Sequence, residues 1–109
     1  LPPWVVVQTP KSINLVLDVD AGELEAICLA QEIQASAVLM DDCAGRNAAR
    51  QCGLSVIGTI GLLEQAATLG LLDLPTMMER LRQTNARLNP DLVRAALERD
   101  ETRRRQLPE

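Results

Sequence analysis

The order of apolar runs and helix signals predicts an α/β chain built on a small parallel sheet with helices around it. Two short segments have strand length: 37–41, whose Ala37-Val38-Leu39-Met40 is a continuous apolar run of the kind buried parallel strands show, and 54–57, which reads as the next strand. Each is followed by a helical segment with its own start signal, and Gly53 and Gly70 stand where those helices must stop. Strand and helix thus alternate in units of about fifteen residues, and right-handed crossovers are expected between the strands.

The individual elements follow in order. Trp4-Val5-Val6-Val7 is a β-branched run between prolines and predicts an edge strand that Pro10 ends. Residues 13–17 fit extended chain or loop equally. Asp20 and Glu23 have the spacing of a capping box, with Glu23 reaching back to the cap, ahead of a helix over 21–34. Its apolar positions Leu24, Ile27, Cys28, Leu29, Ala30 and Ile33 run round most of the circumference, so deep burial is expected. Asp42 is placed to cap a helix over 43–52, and Thr59 one over 60–69. The character then changes. Pro75 opens an amphipathic helix to 86, and Asn89-Pro90 supplies a cap and a first-turn proline for a last helix over 92–103, after which the chain should fray.

Composition excludes several kinds of chemistry. With 109 residues, 47% apolar and 24% charged, the chain is one small globular domain or part of one, not a disordered segment. Trp4 is the single aromatic, so no platform for stacking bases exists. Histidine is absent, which removes histidine-based triads, histidine zinc sites and a histidine pH switch. Fifteen acids against eleven bases argue against a whole-surface attraction to nucleic acid, although ten of the bases are arginines able to act locally. Cys28, Cys43 and Cys52 form no C-x-x-C pair, and a reducing, cytoplasmic setting is the simplest expectation. No apolar run has the length of a membrane span, and a chain opening on Leu1-Pro2-Pro3 rather than Met is expected to have a segment upstream.

Asp41-Asp42, at the carboxyl end of a buried strand, is the most informative pair. Ligands of parallel sheets bind beyond the carboxyl ends of the strands, and adjacent carboxylates there repel unless a cation lies between them. Oxygen ligands alone favour Mg2+ or Mn2+. The competing reading is that Asp42 only caps its helix while Asp41 is solvated. Glu25 and Glu32 share one side of the first helix, facing a partner or lying at the core boundary. Arg46 and Arg50, one turn apart, could hold a phosphate or pair with surface acids. Gly58-Thr59-Ile60-Gly61 lacks the spacing of a phosphate loop, and Cys43, preceded by two aspartates and with no histidine base, is a poor nucleophile. Arg103-Arg104-Arg105 reads as a solvated end.

Taken together, Leu17-Asp18-x-x-Ala-Gly-Glu23-x-Glu25-Ala-Ile, Leu39-Met-Asp41-Asp42-x-x-Gly45-Arg46-x-x-Ala49 and Gly53-Leu-x-Val56-Ile-Gly58-Thr59-Ile-Gly61-Leu-Leu-x-x-Ala66 resemble a PIN-like family of bacterial and archaeal proteins. Its members are described as predicted nucleic-acid-binding proteins and are similar to the ribonuclease toxins of toxin–antitoxin pairs. The resemblance implies an α/β fold whose acids bind Mg2+ or Mn2+ to hydrolyse RNA. By position it implies Glu25 and Asp42 as catalytic acids, Glu25, Asp41 and Asp42 as metal ligands, and Arg46 as the family's arginine. Residues 1–72 would be the C-terminal part of the domain and 73–109 a helical extension. The family's first strand with its metal-binding Asp, and a helix with its Glu, are expected before Leu1, and Cys43 stands where an arginine commonly follows the acid pair.

Two classes of function are therefore in play. One is a metal-dependent endoribonuclease, with little metal or activity expected of these residues alone. The other is a non-catalytic interaction module that pairs with itself or with a small antitoxin-like protein. RNA is an expected partner and a membrane is not. A receiver-like phosphoacceptor is disfavoured, because its acid pair should end the first strand, with a separate phosphorylatable Asp later.

Overall fold

The computed structural model describes residues 1–14 and 17–107. Among them the order is α1 (Ala21–Glu32), β1 (Val38–Leu39), α2 (Cys43–Gln51), β2 (Val56–Ile57), α3 (Thr59–Thr68), α4 (Leu74–Arg82) and α5 (Pro90–Arg105). The strands pair in parallel, Val38 opposite Val56 and Leu39 opposite Ile57, so the α/β class and the crossover through α2 are as expected. The chain divides into two compact units, Leu1–Ile57 and Gly58–Glu109.

In the first unit, Ile27, Ala30, Val38, Met40, Ala48 and Ala49 form the buried core between α1, the sheet and α2. The deep burial expected for α1 is reduced to one stripe: Ile27, Cys28 and Ala30 are buried, while Ile33 is 52% exposed. Two strands and one helix cover only one side of it. Asp20 occupies the cap position in extended conformation, but its side chain makes no capping bond, so the expected capping box does not form. The helix leaves through Gln34 at φ 53, a left-handed turn closed by Ala35 N–H donating to the Ala30 carbonyl at 2.9 Å. Gly53, at φ 80, ends α2 as its type requires.

The expected edge strand at 4–7 is absent. Val5 N–H instead donates to the Pro2 carbonyl in a turn, and Trp4, Val6 and Val7 are exposed. A β-branched run confers strand propensity only where a neighbouring strand can take its backbone bonds, and the prolines at 3 and 10 leave it short. Of the segment 13–17, Leu15 and Val16 lie outside the described residues; Ile13 and Asn14 are irregular.

In the second unit, Leu74, Met78 and Ala96 form a buried cluster joined by Ile60, Leu63, Val93 and Leu97. Gly58, not Thr59, occupies the cap of α3, and Thr59 is its first helical residue. Asp73 caps α4 through Oδ2, which accepts from Thr76 N–H at 3.1 Å, and Asn89 Oδ1 caps α5 by accepting from Asp91 N–H at 2.9 Å. α4 ends at Arg82, short of 86, because Thr84 turns back and its N–H and hydroxyl both donate to the Leu81 carbonyl. α5 continues through Arg105, where fraying was expected, because Arg103 and Arg104 close on the carboxylate of Asp100. Among the described residues no helix is long and apolar enough to cross a membrane.

Candidate functional site

The sheet delivers the acid pair. Met40 N–H still bonds the Ile57 carbonyl at 2.9 Å, so the chain leaves the sheet at Asp41, beyond the carboxyl end of β1. Asp42 then adopts extended backbone (φ −64, ψ 129) and caps α2, Oδ2 accepting Gly45 N–H at 2.8 Å while its carbonyl accepts Arg46 N–H at 2.8 Å. Both aspartates are exposed. The sequence therefore placed them correctly, and the capping reading of Asp42 holds without excluding a second role for Oδ1.

Close packing explains what surrounds Asp42. Gly45 is buried, and a Cβ there would lie 2.6 Å from Met40 Sδ and 2.9 Å from Glu23 Cγ. The stem of Glu23 thus rests on the same first turn that Asp42 caps. Glu25 does not share this place. Two residues further along α1 it is turned about 200° round the axis, and it is exposed. Glu23 was legible: Glu23, Ile27 and Ala30 repeat at i, i+4, i+7, the core stripe of α1.

Arg46 is half-buried and Arg50 exposed on α2, and neither forms an ion pair among the described residues. The first unit holds seven Asp or Glu against three Lys or Arg and the second eight against eight, so the net charge of −4 belongs to the first. Cys43 is exposed and free, with Asn47 Nδ2 at 4.0 Å from its sulfur. Glu32 lies away from these acids in sequence and use: it binds the backbone of Lys11 and Ser12.

Among the described residues no three His, Cys, Asp or Glu side chains are grouped so as to hold a metal ion. The trio Glu25, Asp41 and Asp42 is therefore not assembled, for two physical reasons. Glu25 is turned from Glu23's side of α1, and one oxygen of Asp42 is engaged by its cap. These residues do not by themselves fit a Mg2+ or Mn2+ centre.

A parallel strand pair, a crossover helix and carboxylates beyond the strand end define an α/β domain with its candidate site at the carboxyl edge of the sheet. The PIN-domain family model matches residues 2–102, and the chain belongs to that family. The family carries a nuclease-like fold whose members generally bind divalent metals. Comparisons with curated proteins and with solved structures found no match.

Proposed function

We propose that the chain supplies acids to a metal-dependent endoribonuclease of the kind that serves as toxin in toxin–antitoxin pairs, with Asp42 as the principal catalytic and metal-facing acid. The observation supporting this is the fixed position of Asp42: the carboxyl end of β1 delivers it and its bond to Gly45 N–H holds it. Asp41 precedes it, and Glu23 leans on the same turn. Glu25 keeps its proposed role only if α1 turns or a further element meets its exposed face. In this reading 1–72 belong to the nuclease-like domain and 73–109 to a helical extension.

The test is RNA cleavage in manganese buffer by the full-length parent protein and by its Asp42→Asn variant, which retains an acceptor for the cap and removes the charge. Loss of cleavage in the variant, with weakened manganese binding, supports the assignment. Equal cleavage by both overturns it.

The second reading, an interaction module, draws on exposed apolar residues. Trp4 is 82%, Val6 74% and Val7 81% exposed, and apolar surface of this kind marks protein contacts when it is contiguous. The partner would be a second copy or a small antitoxin-like protein. A parent protein that neither binds manganese nor cuts RNA, yet sediments as a dimer through this segment, makes this reading the better one.

A further inference from the structure

α4 and α5 leave between them a groove of about 550 Å3 that lies wholly in the second unit. Pro75, Met78, Leu88, Val93 and Leu97 give it an apolar floor. A floor of this kind is stabilised by a helix laid over it, as in helical bundles. The rim carries both signs, Glu79, Glu98 and Glu101 with Arg82 and Arg94, so neither a polyanion nor a polycation suits it. The second unit as a whole is neutral, with eight acids and eight bases, while the net charge of −4 lies in the first. Two copies of this acidic chain therefore meet with least repulsion through their second units.

The order of charges along α5 says which occupant fits. α5 buries Ala96 and Asp100 and carries Asp91, Arg94, Glu98, Glu101 and Arg105 on another side, all within about 60° of Arg94 round the axis. Within the chain Arg94 pairs with Asp91 and Glu101 with Arg105, and all four side chains are exposed. In an antiparallel second α5, related by a two-fold axis between Leu97 and Glu98, Arg94 comes level with the partner's Glu101. Asp91 comes level with the partner's Arg105 to within one residue, and the two-fold axis repeats both contacts. Each end of the contact then holds a closed ring of four charges in alternating sign. Exposed pairs are worth little singly and more in such a network. A parallel second helix would set Arg94 on Arg94 and Glu101 on Glu101, which repulsion disfavours. We propose that the groove receives α5 of a second copy of this chain, antiparallel to its own, so that α4 and α5 of two copies form a four-helix layer. This pairing is independent of the nuclease reading, and its surface differs from the 4–7 segment.

The experiment is analytical ultracentrifugation of the full-length protein over a range of concentrations. The parent should dimerise, and Arg94→Glu and Glu101→Arg should each raise the dissociation constant by at least about tenfold, because each sets like charges together at both ends of the contact. An equimolar mixture of these two variants should recover the dimer, since every acid of one protomer then faces a base of the other. Arg80→Glu, outside the groove, should dimerise as the parent does. Circular dichroism of each variant separates loss of association from loss of fold, and recovery in the mixture does so again. A parent that stays monomeric, single variants that dimerise as the parent does, or folded variants whose mixture stays monomeric would each overturn the proposal. So would loss of the dimer in Trp4→Ser with both charge variants unaffected, which would place the pairing in the 4–7 segment instead.

Discussion

Glu32 holds the turn at Lys11 with both of its oxygens, accepting Lys11 N–H at 2.7 Å on Oε1 and 2.9 Å on Oε2; Ser12 N–H adds a bond of 3.0 Å to Oε1. The backbone bonds from Lys11, then Ser12, hold this carboxyl below the usual glutamate range. Such bonds favour the charged form of the folded protein, so their stabilisation is present at neutral pH. It is lost as pH falls below about 4.3 and through the depressed folded value. Glu32→Gln should loosen the 1–12 segment at neutral pH, and the difference from the parent should vanish in acid, where Glu32 is itself protonated. Tryptic cleavage after Lys11, followed by mass spectrometry at neutral pH, should be faster in the variant, and the protection of the Lys11 and Ser12 amides in the parent, taken relative to the intrinsic exchange rate at each pH, should fall on acidification. Unchanged protection down to pH values where carboxylates protonate would show that the clasp does not hold the segment.

Gly45 separates two effects of opposite sign. Replacing a helical glycine by alanine gains about 1 kcal/mol of propensity. The new Cβ would sit 2.6 Å from Met40 Sδ and 2.9 Å from Glu23 Cγ, and overpacking of this kind costs about 1–3 kcal/mol. Gly45→Ala should therefore be neutral to destabilising by urea titration. Gly45→Leu should lower the midpoint severely, having more volume and no extra propensity. A stabilised alanine variant would mean that Met40 and Glu23 move aside freely, and that Glu23 is not fixed beside the cap.

The dual use of Asp42 predicts a split between stability and function. Asp42→Ala removes the bond to Gly45 N–H and should cost about 1 kcal/mol, whereas Asp42→Asn should cost much less. Both should abolish any metal-dependent cleavage. If Asp42→Asn is as unstable as Asp42→Ala, the charge at the helix start, acting on its dipole, outweighs the hydrogen bond.

The parts legible in the sequence were those fixed by local chemistry. The runs at 37–41 and 54–57 gave β1 and β2 and their parallel pairing, because buried parallel strands need no alternation; Gly53 and Gly70 gave the helix stops, at φ 80 and 76. Asp42, Asp73 and Asn89 all cap helices, although only the first and third were foreseen. Strand propensity at 4–7 misled because it says nothing of whether a neighbour exists. The acids near Asp42 depended on rotation about α1, where a two-residue change from Glu23 to Glu25 reverses the face. Whether acids from separate elements meet at one point is a property of packing, and spacing along the chain does not encode it.

Asp100 makes the strongest stability prediction. Its side chain is 3% exposed, bonded to Arg103, with Arg104 Nε 3.0 Å from Oδ2, and Arg104 also lies 3.8 Å from Oδ1 of Asp73, the cap of α4. Oδ2 receives no hydrogen bond of good geometry, so Arg104 acts on it chiefly through charge. Truncating one partner of a buried pair leaves the other charge uncompensated and costs about 3–5 kcal/mol. Asp100→Ala should fall in that range. Arg103, the more buried arginine, bonds Asp100 directly, so Arg103→Ala should cost more than Arg104→Ala, whose side chain is 51% exposed. The penalty should persist in high salt, unlike that of breaking the exposed Glu79–Arg82 pair, because screening reaches buried charges poorly. Urea titrations of the three variants at low and high salt give the order. If Arg104→Ala costs as much as Asp100→Ala, the link through Arg104 to Asp73 is the main tie; if Asp100→Ala costs less than 1 kcal/mol, the carboxylate is hydrated in solution and the buried pair is not what extends α5 through its arginines.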